Sequence, residues 1–282
     1  TAEDERESRR ILMEVTSTIV EHGTGLSHAI RALARIDLTF GKAQYALDLD
    51  GIVPEIIDRP TDDSLRLVNA RHPLLPNAAI PISLENGGTD PVLVITGPNT
   101  GGKTVALKTT GLLALMNQAG LHIPAAQGTR LPIFKNIVAD IGDEQSIEQS
   151  LSTFSAHMTT IVDILRDTDR NCLVLLDELG SGTDPEEGSA LAQAILEYLL
   201  RKRTSTIATT HHSSLKVFAE TTDGVRNAST EFDPITLQPT YKVLMDVPGQ
   251  SNAMSIAETL GLQHEVLDQA RLHLGTPHTD LE

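Results

Sequence analysis

Residues 97 to 104 read GPNTGGKT and fit the spacing G-x-x-x-x-G-K-[ST]. Gly97, Pro98, Asn99, Thr100, Gly101 and Gly102 form a loop whose backbone N–H groups can turn inward around phosphate oxygens, with glycine where a Cβ would obstruct. Lys103 then sets a cation on the outer phosphates, and the Thr104 hydroxyl is a ligand for Mg²⁺. A nucleoside triphosphate is the ligand this chemistry suits. Hydrolysis needs a further carboxylate for the metal and a base for water. Asp177 and Glu178, in CLVLLDELGSGTDPEEG, supply both: Asp177 for Mg²⁺, mostly through water, and Glu178 for the attacking water. His211, in TSTIATTHHSSL, is placed to hydrogen-bond the γ-phosphate, with His212 the weaker candidate. Gln145, in GDEQSIEQSLSTFSAHM, can bridge metal and water. Ser152 and Thr153 open a helix as N-cap residues, pointing its positive end at an anion.

Such groups act only if the chain gathers them. The run VLVIT before the loop predicts a buried strand, and KTVALKTTGLLALMNQAG after it predicts a helix whose N-terminus faces the phosphates. CLVLL predicts a second buried strand with Asp177 at its carboxyl end, where α/β sheets present ligands. From Val92 to about Gly275, apolar strand-like runs alternate with helical ones, which predicts a mainly parallel sheet flanked by helices. From Leu49 to Asp90, prolines and Gly87-Gly88 punctuate short segments, read as irregular strands and turns. Residues 1 to about 48 carry apolar positions at helical spacing. The His22-Gly23-Thr24-Gly25 stretch predicts a break there, hence two helices.

Composition narrows the partners. Net charge is −16, so the chain offers little non-specific grip on DNA, RNA or an anionic membrane. Aromatics are 3% with no Trp, thin for stacking single-stranded bases. The single cysteine, Cys172, excludes an internal disulfide, reads as a core thiol and fits a reducing cytoplasm. No apolar run reaches the ~20 residues of a spanning helix. The charged opening without Met suggests a piece of a longer protein, with partner sites elsewhere.

Taken together, TGPNTGGKT, STFSAHM, LLDELGSGTDPEEGSALA and ATTHHSSLK, with ARHPLL before them and YKVLMDVPGQSNAMSIAETLGL after, resemble the ATPase domain of the MutS family. The variants GGKTVALKT and GDEQSIEQSLSTFSAHM resemble the second bacterial paralogue more than the mismatch-recognising branch. The resemblance covers roughly residues 65 to 275; residues 1 to 60 resemble the end of the family's lever and clamp helices more weakly.

The resemblance implies a P-loop NTPase of the ABC-ATPase class, in an α/β domain over 61–282 preceded by a short helical segment over 1–60. It implies ATP and Mg²⁺ bound by Gly97 to Thr104 and Asp177, Glu178 as general base and His211 as γ-phosphate sensor. Gln145 would lie in the loop that couples nucleotide to other domains, Ser152 would reach the partner's γ-phosphate, and Gly180 to Asp184 would cross a homodimer interface. Tyr241 falls where the mismatch branch carries a His near the adenine, and would stack on the base. Branched DNA or stalled ribosomes would be engaged mostly by regions outside this chain, and any nuclease activity would lie there too. A mismatch-recognition ATPase and an ATP-gated dimerisation module with little turnover are the competing readings; Glu178 weighs against the second. A transporter subunit is disfavoured, because STFSAHM stands where LSGGQ would be.

Overall fold

The computed structural model describes residues 2–58, 64–75, 79–98, 101–142, 150–233, 236, 238–249 and 253–275, with the side chains of 150–153, 253, 255, 274 and 275 not described. It divides into two compact units, residues 1–50 and 51–282.

The first unit is one helix, α1 (Ala2–Asp48). The predicted break at His22–Gly25 does not occur. Glycine lowers helix propensity by about 1 kcal/mol but keeps its N–H, so the hydrogen-bond ladder passes through; only proline would remove a rung.

The second unit is built on a six-stranded sheet in the order β10 (Gln238–Met245), β9 (Val225–Asp233), β4 (Val92–Thr96), β8 (Ser205–Thr210), β7 (Cys172–Leu176), β6 (Asn136–Asp140). Every neighbouring pair is parallel except β10 with β9. All residues of β4, β7 and β8 are buried, as expected of strands covered on both faces. Val92, Val94, Val174, Leu176 and Ala208 face one way, onto Ile161 and Ile164 of α3 (Ser150–Asp167), Leu196 and Leu199 of α4 (Pro185–Arg201), and Leu215 and Phe218 of α5 (Ser213–Thr221). The opposite face meets α2 (Lys103–Gln118), where Gly111 lies against Leu175.

A second sheet goes beyond the sequence expectation. It has four strands in the order β1 (Glu55–Ile57), β5 (Arg130–Pro132), β2 (Ser64–Ala70), β3 (Ile82–Gly87). Its β5 comes from beyond α2, so the Leu49–Asp90 stretch completes its sheet with residues some forty positions further on. Asn86, 1% exposed, ties the two sheets: its Nδ2 donates to the carbonyls of Pro91 (2.9 Å) and Thr206 (3.1 Å), and Ser205 Oγ donates to its Oδ1. Two helices, α6 (Ala253–Thr259) and α7 (His264–Gly275), follow β10. Among the described residues no helix is long and apolar enough to cross a membrane.

Candidate active site

Parallel register brings the chemistry to one edge. Thr96 pairs with Thr210, and Leu176 pairs with both Ala208 and Asp140. The residues just after the strand ends, Gly97, Asp177 and His211, therefore emerge side by side, with Asp140 beside them as the last residue of β6.

The glycine loop occupies the turn from β4 into α2. Gly97 has φ 140° and Gly102 φ 89°, conformations that side-chain-bearing residues rarely adopt. Neither has room for a Cβ: at Gly97 it would strike Thr230 Oγ1, and at Gly102 it would lie 2.9 Å from the Tyr241 ring. The Gly101 N–H donates to the Pro98 carbonyl at 3.0 Å. Asn99 and Thr100 lie outside the described residues. Lys103 is 2% exposed and its Nζ donates to the Gly97 carbonyl at 2.6 Å. Burial pulls its pKa down from the usual lysine value. Glu178 and then Asp177 pull it back up, and Lys216 lowers it further. The two acids are thus close enough for their charges to act on the ammonium. Thr104, half-buried, is the second residue of α2.

Asp177 is 6% exposed. Its N–H donates to the Asp140 carbonyl at 2.9 Å, and its Oδ1 accepts from Thr209 Oγ1. Among the described residues nothing bonds its Oδ2. The same Thr209 oxygen accepts from the Glu178 N–H at 2.9 Å. Glu178 has φ 45°, a left-handed conformation uncommon outside glycine, and Thr209 holds it there. Thr209 is a residue of the candidate site that the sequence alone does not pick out. Its signal is its place in ATTHH, opposite Asp177 on the neighbouring strand, which only the sheet order makes visible.

His211 follows β8. Partial desolvation is the first cause holding its imidazole below the usual range, although the residue is exposed as a whole; His212 and Lys103 add to the effect and Glu178 opposes it. His212 plays a different part. It is the N-cap position of α5, stacks on His211 at 4.6 Å between centroids, and its Nε2 lies 3.1 Å from the Gly180 carbonyl. Gly180 begins the loop to α4, which Asp184 caps by accepting from the N–H groups of Glu186 (2.9 Å) and Glu187 (3.2 Å). In this loop Gly182 neighbours Phe154 of α3: a Cβ built on it would lie 3.6 Å from the Phe154 Cβ. A further unforeseen contact is Gly249, whose N–H donates to Thr96 Oγ1 (2.9 Å) and whose carbonyl accepts from Lys216 Nζ (2.7 Å).

Tyr241 has φ 60° and lies over Gly102. It lines a cavity of about 300 Å³ with His72, Ile80, Gly102, Val105 and Thr109. Gln145 lies outside the described residues. Ser152 lies in α3, which is described from Ser150 onward, and the side chain of Ser152 is outside the described residues.

The oxygen donors present fit a small hard cation. A threonine hydroxyl and a buried carboxylate with one oxygen unbonded among the described residues suit Mg²⁺, which completes its shell with water and phosphate oxygens. Among the described residues no three His, Cys, Asp or Glu side chains form a metal-holding group, and Mg²⁺ held this way needs none.

Residues 93–276 match the sequence profile of MutS domain V. Similar proteins include one named Endonuclease MutS2 from Geobacillus sp. (strain WCH70), 51% identical over 280 residues, which covers 99% of this chain and 35% of that protein. Those of the same name from Pelotomaculum thermopropionicum and Thermomicrobium roseum are each 52% identical, over 281 and 290 residues, covering 100% of this chain and 35% and 37% of theirs. The chain belongs to the MutS family, with its likeness in that family to the MutS2 paralogues. It spans about a third of the length of these relatives.

Proposed function

We propose that this chain is the ATP-binding and ATP-hydrolysing motor domain of a MutS-type protein of the second bacterial paralogue, a P-loop NTPase of the ABC class that works as a homodimer with ATP between the chains. The observation that carries this is the convergence of Lys103, Asp177, Glu178 and His211 at one edge of the sheet, with Lys103 buried and within electrostatic reach of both acids.

In this reading the glycine loop, Gly97 to Thr104, wraps the phosphates and Lys103 moves its bond from the Gly97 carbonyl to a phosphate oxygen. Thr104 and Asp177 hold Mg²⁺, which when bound neutralises phosphate charge. Glu178 takes the proton of the attacking water, and Thr209 fixes its backbone for that task. His211, held largely neutral, donates to the γ-phosphate. Tyr241 and the cavity beside it take the base. Gln145 senses metal and water, while Ser152 and the Gly180–Asp184 loop face the partner chain. Residues 1–60 form the end of the lever and clamp region. Branched DNA or a stalled ribosome in the cytoplasm is the target, gripped mostly outside this chain, where the nuclease activity named in its relatives would also lie.

Lys103→Ala tests the reading. It removes the only cation of the loop, and a charge-assisted contact is worth roughly 1.5–3 kcal/mol, or about one to two decades in affinity. Calorimetry with ATP should register that loss. Unchanged affinity would contradict nucleotide binding at this loop.

A further inference from the structure

The Asp140–His157 pair has no part in the roles assigned so far. Asp140 ends β6 and is 8% exposed. Its Oδ2 lies 2.8 Å from Nδ1 of His157, whose side chain is 22% exposed. An ionised carboxylate can only accept, so Nδ1 carries the proton. Through its backbone the same aspartate accepts the Asp177 N–H at 2.9 Å. One residue thus grips the strand that presents Asp177 and, by its side chain, α3.

The position of the grip matters. His157 is the eighth residue of α3, about 10 Å along the axis from its start at 1.5 Å per residue. Residues 141–149, which carry Gln145, link Asp140 to α3 along the chain. The pair joins the two elements that flank them in sequence. Gly182, in the loop after Glu178, neighbours Phe154, one turn before His157: a Cβ built on it would lie 3.6 Å from the Phe154 Cβ. The first turns of α3 are thus bonded to Asp140 and neighbour that loop. A bare packing contact would need neither a buried carboxylate nor an imidazole of fixed tautomer here; an apolar pair would fill the space without desolvating a charge.

We propose that Asp140 and His157 are a positioning pair that locks the amino-terminal turns of α3 to the strand presenting Asp177, so that the helix start meets a nucleotide in register with this chain's own acids. This rests on the function proposed above. The pair touches no reacting atom. Its loss should lower turnover and leave nucleotide affinity nearly intact, because the glycine loop is elsewhere.

The test is steady-state ATP hydrolysis by the protein at its natural length, with ADP affinity and thermal melting measured beside it, for His157→Ala, His157→Asn and His157→Gln. Misplacement of about 1 Å can cost up to about 100-fold in rate, so His157→Ala should lose about tenfold or more in kcat. Its ADP affinity should stay within about twofold, as for a group acting only on the rate. The amide nitrogen of Asn can sit where Nδ1 sits, whereas that of Gln reaches past it. Asn should therefore recover most of the turnover and Gln should not. If His157→Ala fails to fold, the Asn and Gln comparison decides the matter alone. A His157→Ala kcat equal to wild type, or Asn and Gln falling together in step with melting temperature, would overturn the inference while leaving the function reading intact. A wild-type protein without turnover would overturn both.

Discussion

Thr209 shows how much one hydroxyl can hold. Its oxygen accepts from the Glu178 N–H while its proton goes to Asp177, so the proposed base and the proposed metal ligand share one anchor. Thr209→Val keeps the shape and removes both bonds. The buried Asp177 oxygen and the left-handed Glu178 backbone then lose their support, and kcat should fall about 10–100-fold, the scale of lost positioning. Steady-state kinetics with an intact melting temperature would establish this; unchanged kcat would remove Thr209 from the site. His211 gives a pH signature. Its folded pKa lies below the ordinary value of 6.5, so between the two the unfolded chain binds the proton more readily. Stability should be full above that ordinary value, decline as pH falls through it, and level off below the folded value. His211→Asn should flatten that decline in melts across the acid range, and an identical profile would show that the imidazole does not titrate as described.

At the scale of elements, two glycines have opposite meanings. Gly23 lies in the interior of α1 with nothing within 4 Å of where a Cβ would stand, so Gly23→Ala should stabilise the helix by about 0.5–1 kcal/mol. Gly102→Ala should do the reverse, because φ 89° and the Tyr241 ring both oppose a side chain, with a cost above the roughly 0.4–1 kcal/mol scale of harmless exchanges. Denaturant unfolding of both variants reads the two signs, and a common sign would contradict the account of one of them. The same contrast explains what is legible in the sequence. Gly97 to Lys103 can be read because the loop demands glycine at fixed spacing, and VLVIT and CLVLL because strands buried on both faces leave unbroken apolar runs. The expected break at His22–Gly25 fails because low propensity without proline does not end a helix. The four-stranded sheet is unreadable because β5 joins β2 from beyond α2, and pairing across such a distance leaves no local pattern. Thr209 escapes for the same reason: its role depends on which strand lies next to β7.

At the scale of the whole molecule, the sheet order is what gathers the residues of the proposed chemistry. β4, β8, β7 and β6 run parallel, so their carboxyl ends deliver Gly97, His211, Asp177 and Asp140 to one edge, although the chain visits them far apart. Net charge −16 gives the chain no broad footprint for nucleic acid, which fits the proposed motor gripping its target through other regions. Hydrolysis of ATP at this edge with Glu178 as base, as proposed, is tested most directly by single-turnover hydrolysis of radiolabelled ATP by Glu178→Gln against the unchanged protein. The amide keeps the shape but cannot take a proton, so ATP should remain bound while its cleavage slows by about 10²–10⁴-fold. Cleavage at close to the unchanged protein's rate would contradict the claim.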